Sequence, residues 1–123
     1  AYYHACNRGK RSIIADFACA DDLARVKALC AEADVVIENF KTGALAKFGL
    51  DYASLSAVNP ALVYCSITGF GQTGPRAHEA GYDFVVQGMS GFMSLTGEPA
   101  GHPVKMGISI SDLATGVWAA NGV

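Results

Sequence analysis

Apolar residues follow two rhythms along this chain. Ser12-Ile13-Ile14-Ala15-Asp16-Phe17 is a short β-branched run and predicts a strand. Asp21-Asp22 then places acid where a helix would open. Leu23, Val26, Leu29, Cys30 and Ala33 recur at helical spacing, which predicts an amphipathic helix over residues 21–33. Asp34 breaks it. Val35-Val36-Ile37-Glu38-Asn39 is apolar without alternation, the pattern of a strand in a parallel sheet covered on both faces. Strand, helix and strand in this order have the length of a βαβ crossover.

The alternation continues. Ala44-Leu45-Ala46-Lys47-Phe48 predicts a short helix closed by Gly49. A second short helix carries Tyr52, Leu55 and Val58 on its apolar side and ends at Asn59-Pro60. Leu62-Val63-Tyr64-Cys65-Ser66-Ile67 predicts a third strand. Residues 69–81 form a Gly- and Pro-bearing loop, and residues 82–95 read as a helix. The β-branched run Gly107-Ile108-Ser109-Ile110-Ser111 ends in Asp112, and a small-residue helical pattern follows it. Residues 1–11 read as an irregular lead-in. Strands alternating with helices give an α/β fold of the doubly wound kind.

Composition narrows this. Of the 123 residues, 51% are hydrophobic and only 16% charged, so part of the surface is expected to meet more protein. The chain starts without Met and stops inside a helical pattern. The expectation is one partial domain, residues 1–123, from within a longer chain. A net charge of −2 gives no basic footprint for nucleic acid. Arg8-Gly9-Lys10-Arg11 reads as a solvated strand entry rather than a docking patch, though it could hold a phosphate. Cys6, Cys19, Cys30 and Cys65 form no paired spacing and read as reduced thiols of a cytoplasmic protein. His4, His78 and His102 are too scattered for a metal site. No apolar run is long enough to span a membrane.

Four stretches carry candidate chemistry. Asp112, at a strand-to-helix junction, fits either a helix cap or an exposed nucleophile or base at the mouth of a cleft. Gly69-Phe70-Gly71-Gln72-Thr73-Gly74 matches the letter pattern of a pyrophosphate-binding loop. However, no apolar helix opens after it, and no acid-ended strand follows at the required distance. A flexible loop at the carboxyl end of a strand, where α/β proteins place ligand crevices, is the plainer reading. Glu38-Asn39-Phe40-Lys41 ends another core strand. There Asn39 could bond an adenine or amide and Phe40 could stack on a ring. Lys41 and Lys47 could meet phosphates. Taken singly, each also fits a structural role. Gly81-Tyr82-Asp83 opens the helix after the loop, with Asp83 as its simplest cap.

Together these residues resemble the class III CoA-transferases, a family that also includes alpha-methylacyl-CoA racemases. The matching blocks run in the family's order: Asn7–Ser12, Ala33–Phe40, Asn59–Tyr64, Ser66–Pro75, Gly81-Tyr82-Asp83 and Gly107–Asp112. The resemblance implies a Rossmann-like large domain with a parallel sheet flanked by helices, an interlocked homodimer, and coenzyme A as the carried group rather than a resident cofactor. It places the catalytic aspartate on Asp112. It places CoA contacts on Ala15, Asp16, Phe17 and Ala18, on Asn39 and Phe40, on Lys47, and on Ala80, Gly81, Tyr82 and Asp83. Ala18 stands where some members carry lysine. The racemases use the histidine of a Gly-His-Asp block for proton transfer. Here the block reads Gly81-Tyr82-Asp83, and a phenol is a poor base at neutral pH. That favours transfer of CoA between an acyl-CoA and a carboxylic acid, through an aspartyl anhydride and an aspartyl-CoA thioester. An acyl-CoA racemase and a non-catalytic nucleotide-binding module stand as the alternatives.

Overall fold

Two short parallel strands carry the architecture in the computed structural model, which describes residues 2–123. β1 (Val35–Glu38) pairs with β2 (Val63–Ser66), with Val35 opposite Val63 and Glu38 opposite Ser66. The ladder extends at both ends, since Val63 N–H donates to the Asp34 carbonyl and Ile67 N–H to that of Glu38. Among the described residues, five α-helices accompany the strands: α1 (Tyr2–Asn7), α2 (Ala20–Glu32), α3 (Tyr52–Val58), α4 (Asp83–Met89) and α5 (Ile110–Gly122). The fold is α/β, as the periodicity predicts.

The core sits on one face of the sheet. Leu45, Leu50, Leu55 and Leu62 are buried together, and Leu23, Val26, Cys30 and Ala33 of α2 and its C-cap pack against them with Val36 and Tyr64. Those α2 positions step by three, four and three residues, which keeps them on one helical stripe. Leu29 lies off that stripe and is exposed, against the sequence expectation. Ile37 is 58% exposed, so the second face of β1 is uncovered among the described residues and the expected two-sided burial is not met. Gly49 closes the 3-10 turn Ala46–Phe48 at φ +65°, a left-handed conformation that favours glycine.

Four further expectations change. Residues 12–17 form no strand. Ile14 is 91% exposed, and the backbone there is served by side chains of α2 instead: Asp16 N–H donates to Asp22 at 2.9 Å and Arg25 donates to the Ile14 carbonyl at 3.3 Å. A strand needs a neighbour's ladder, and β1 pairs with β2. Part of the lead-in is helical, as α1. The helix expected over 82–95 stops at Met89. Gly91, at φ +86°, turns the chain into a separate 3-10 turn, Phe92–Leu95. Finally, 107–111 is not a strand. Ser109 occupies the N-cap position and Ile110 is already the first residue of α5.

Candidate active site

The carboxyl ends of β1 and β2 open onto a cleft of about 600 Å³. Four segments wall it: the turn after β1 (Asn39 to Thr42), the exit of β2 (Ile67 to Gly69), the loop running into α4 (Ala77 to Asp83), and the first turns of α5, with Ser111, Asp112, Thr115 and Gly116. A crevice outside the carboxyl ends of parallel strands is where open α/β sheets hold ligands.

Polar bonds between the strand ends fix its shape. Ser66 donates to the Glu38 carboxylate, whose other oxygen accepts the Phe40 N–H at 2.7 Å. The Asn39 amide donates to the Ile67 carbonyl at 2.7 Å, and the Thr42 hydroxyl to the Ala77 carbonyl at 2.8 Å. Asn39 thus ties one strand exit to the other. Between those exits and the α4 loop, the backbones of Gly69 and Gly81 touch. A Cβ on either glycine would lie inside the other's backbone. Glycine at both positions is a requirement of that approach.

Asp112 lies exposed in the first turn of α5, on the cleft wall. It does not cap its helix; that part of the sequence reading is corrected by Asp83. The buried Asp83 carboxylate accepts the Ser111 N–H at 2.9 Å and, more weakly, the Asp112 N–H at 3.4 Å. Asp83 in turn accepts from the Gln87 amide at 2.6 Å. Among the described residues, the Asp112 carboxylate accepts no hydrogen bond and stays available to the cleft.

Of the residues expected to contact CoA, Asn39, Phe40, Ala80, Gly81, Tyr82 and Asp83 line this cleft together with Asp112. Tyr82 is 74% exposed at its mouth. Ala15, Asp16, Phe17, Ala18 and Lys47 do not line it. Phe17 and Lys47 belong to an adjoining aromatic cluster: the Phe17 ring lies 6.2 Å from that of Phe40 and 5.3 Å from that of Phe48, over which the Lys47 ammonium sits at 4.7 Å. The Asp16 carboxylate is occupied by the Ala18 N–H at 2.9 Å. In the glycine loop, Gly71 and Gly74 take positive φ but only turns follow until α4, so no helix N-terminus faces a phosphate there. Arg76 in this loop donates to Glu79 through Nε and Nη2, holding the Glu79 carboxyl below the usual range. Among the described residues, no group of three or more His, Cys, Asp or Glu could hold a metal ion. Gln87 and Glu38 were not singled out as site residues by the sequence. The spacing Asp83-x-x-x-Gln87 on a helix was the available signal.

Comparison with known proteins then decides the family. The family model described as CoA-transferase family III matches residues 1–123. The chain belongs to CoA-transferase family III. It is 61% identical over 123 residues to succinate–glutarate CoA-transferase of Agrobacterium fabrum, covering 100% of this chain and 31% of that protein. It is 43% identical over 122 residues to the mouse succinyl-CoA:glutarate CoA-transferase, covering 99% of this chain and 28% of that one. A crystal structure of a CAIB/BAIF family protein from Brucella suis superposes with a TM-score of 0.95 at 60% identity, over 98% of this chain and 32% of that one. This family III chain spans about a third of the length of the curated relatives it matches.

Proposed function

We propose that the protein to which this chain belongs moves coenzyme A from an acyl-CoA thioester to a free carboxylic acid, with Asp112 as the acyl-accepting carboxylate. The observation that carries this is the placement of an unengaged Asp112 carboxylate in the same cleft as Asn39, Phe40 and Ala80 to Asp83, in a chain of CoA-transferase family III. The succinate–glutarate relatives support short dicarboxylic acids as the exchanged pair.

The chemistry follows from the carboxylate. One Asp112 oxygen attacks the thioester carbonyl, the C–S bond breaks and CoA leaves as thiolate, giving a mixed anhydride. The thiolate adds to the aspartyl carbonyl and expels the donor acid, leaving an aspartyl-CoA thioester. The acceptor carboxylate attacks that carbonyl and releases the thiolate again. The thiolate then takes the acceptor's acyl carbon, and Asp112 returns as carboxylate. No net proton or redox change is required. Covalent catalysis of this kind divides one difficult exchange into easier ones. Backbone N–H groups around Gly69 and Gly81 are the donors proposed to stabilise the tetrahedral oxyanions.

Coenzyme A would run from this cleft across Phe40 toward Phe17 and Lys47, which is what the contact between the Phe17 and Phe40 rings supports. An interlocked homodimer belongs to the same reading. Asp112→Ala in the full-length enzyme tests it. Transfer is abolished while CoA still binds; transfer retained by that variant contradicts the assignment.

A further inference from the structure

Beneath the cleft, Gln87 is 0% exposed, the most deeply buried polar side chain among the described residues. Both ends of its amide are bonded. Nε2 donates to Asp83 at 2.6 Å and to the Ile108 carbonyl at 3.3 Å, and Oε1 accepts the Met106 N–H at 2.9 Å. Three partners fix which end of the amide points where. A buried amide left unpaired is costly, so this arrangement resists displacement. Met106 and Ile108 belong to the segment that enters α5, and Asp83 holds the amides of Ser111 and Asp112. One side chain on α4 therefore grips the approach to α5 and also orients the carboxylate that caps it.

We propose that Gln87 is a positioning residue for the transfer reaction, setting where Asp112 meets the thioester carbonyl. This rests on the reading of Asp112 as the acyl-accepting carboxylate. Gln87 touches neither substrate nor the reacting atoms. It acts through Asp83 and through the backbone of 106–112. A catalytic group displaced by about 1 Å can lose on the order of a hundredfold in rate, so the effect falls on turnover rather than on binding.

The test uses the full-length enzyme with succinyl-CoA and glutarate, assayed well below each variant's melting midpoint. Gln87→Met keeps the length and removes all three amide bonds. Gln87→Glu keeps an acceptor for the Met106 N–H, loses the donor to the Ile108 carbonyl and sets a second buried carboxyl against Asp83, the two sharing one proton. Expected for each are a CoA Kd and an acyl-CoA KM within about threefold of the parent, and a kcat lowered between about tenfold and a hundredfold. If Gln87→Met does not accumulate as folded protein, Gln87→Glu decides. A folded variant with kcat within about twofold overturns the inference, as does a loss confined to KM. Loss of folded protein in both variants also overturns it, in favour of a purely structural role. Asp112→Ala runs beside them. An active Asp112→Ala enzyme overturns the reading of Asp112 itself. An inactive one beside an unimpaired Gln87→Met enzyme overturns the positioning role alone.

Discussion

The carboxylate of Asp83 accepts the Ser111 N–H at 2.9 Å, joining two helices whose bonded residues lie 28 positions apart in sequence. The helix bearing Asp112 is thus capped from outside, by α4. An N-cap carboxylate offers its charge to the unpaired N–H groups of a first turn. Here that charge comes from one aspartate, and the second aspartate of the pair, Asp112, is left to the cleft.

Removing that cap loosens α5. Asp83→Ala is expected to lower the unfolding free energy of the full-length enzyme by about 1.5–3 kcal/mol, the range for hydrogen bonds to a charged group. The amides of Ser111 and Asp112 should exchange faster with solvent than those in the middle of α5. Denaturant titration and hydrogen exchange measure the two effects. An unchanged exchange rate at Ser111 contradicts the capping role.

The contact between Gly69 and Gly81 makes a sharper prediction. A Cβ at either position collides with backbone, which cannot move aside as a flexible side chain can. Gly81→Ala or Gly69→Ala should cost about 1–3 kcal/mol, as overpacking does, and should reshape the cleft. A weaker CoA affinity by calorimetry, larger than the change in stability accounts for, is the expected result.

Tyr64 gives the chain an alkaline limit. Its phenol is pushed up to about 12, first by burial and then by the charges of Glu38, Asp51 and Cys30. Its hydroxyl donates to the Leu50 carbonyl at 2.9 Å. The folded state therefore holds the phenolic proton more tightly than the unfolded state does, whose phenol titrates near 10. The contribution is intact below about pH 10 and is lost as pH rises from there through about 12. Tyr64→Phe should flatten this decline in a pH series of melting midpoints.

Oxygen bookkeeping separates the aspartyl route from direct attack of one substrate on the other. In a single turnover with heavy-oxygen-labelled acceptor acid, the released donor acid carries an oxygen from Asp112 and is unlabelled. One labelled oxygen is left on Asp112. Direct attack would put the label into the donor acid at once. Mass spectrometry of the acid and of the peptide containing Asp112 reads both.

Much of this was legible beforehand. β1 and β2 are continuous apolar runs, and α2 announces itself by Asp21-Asp22 and a stripe at Leu23, Val26 and Cys30. These signals are local, and each element obeys its own periodicity. The blocks around Asn39, Gly81 and Asp112 pointed to a shared crevice, and their side chains do line one cleft. What local sequence did not carry was pairing at a distance. Ser12 to Phe17 has the residues of a strand but no ladder beside it. Gly107 to Ser111 is β-branched, yet Asp83 and Gln87 hold it as the entry of a helix. A linear reading offers only the nearer aspartate, Asp112, as a candidate cap for α5, because nothing in it brings residue 83 to residue 111.

Asp112 is proposed to carry first the acyl group and then CoA. The direct measurement is mass spectrometry of the full-length enzyme quenched during turnover of succinyl-CoA. CoA joined as a thioester to the peptide containing Asp112 is the expected result, appearing on the time scale of transfer and discharged by added glutarate. Turnover at full rate with no adduct on Asp112, or with the adduct on another residue, would contradict the proposal.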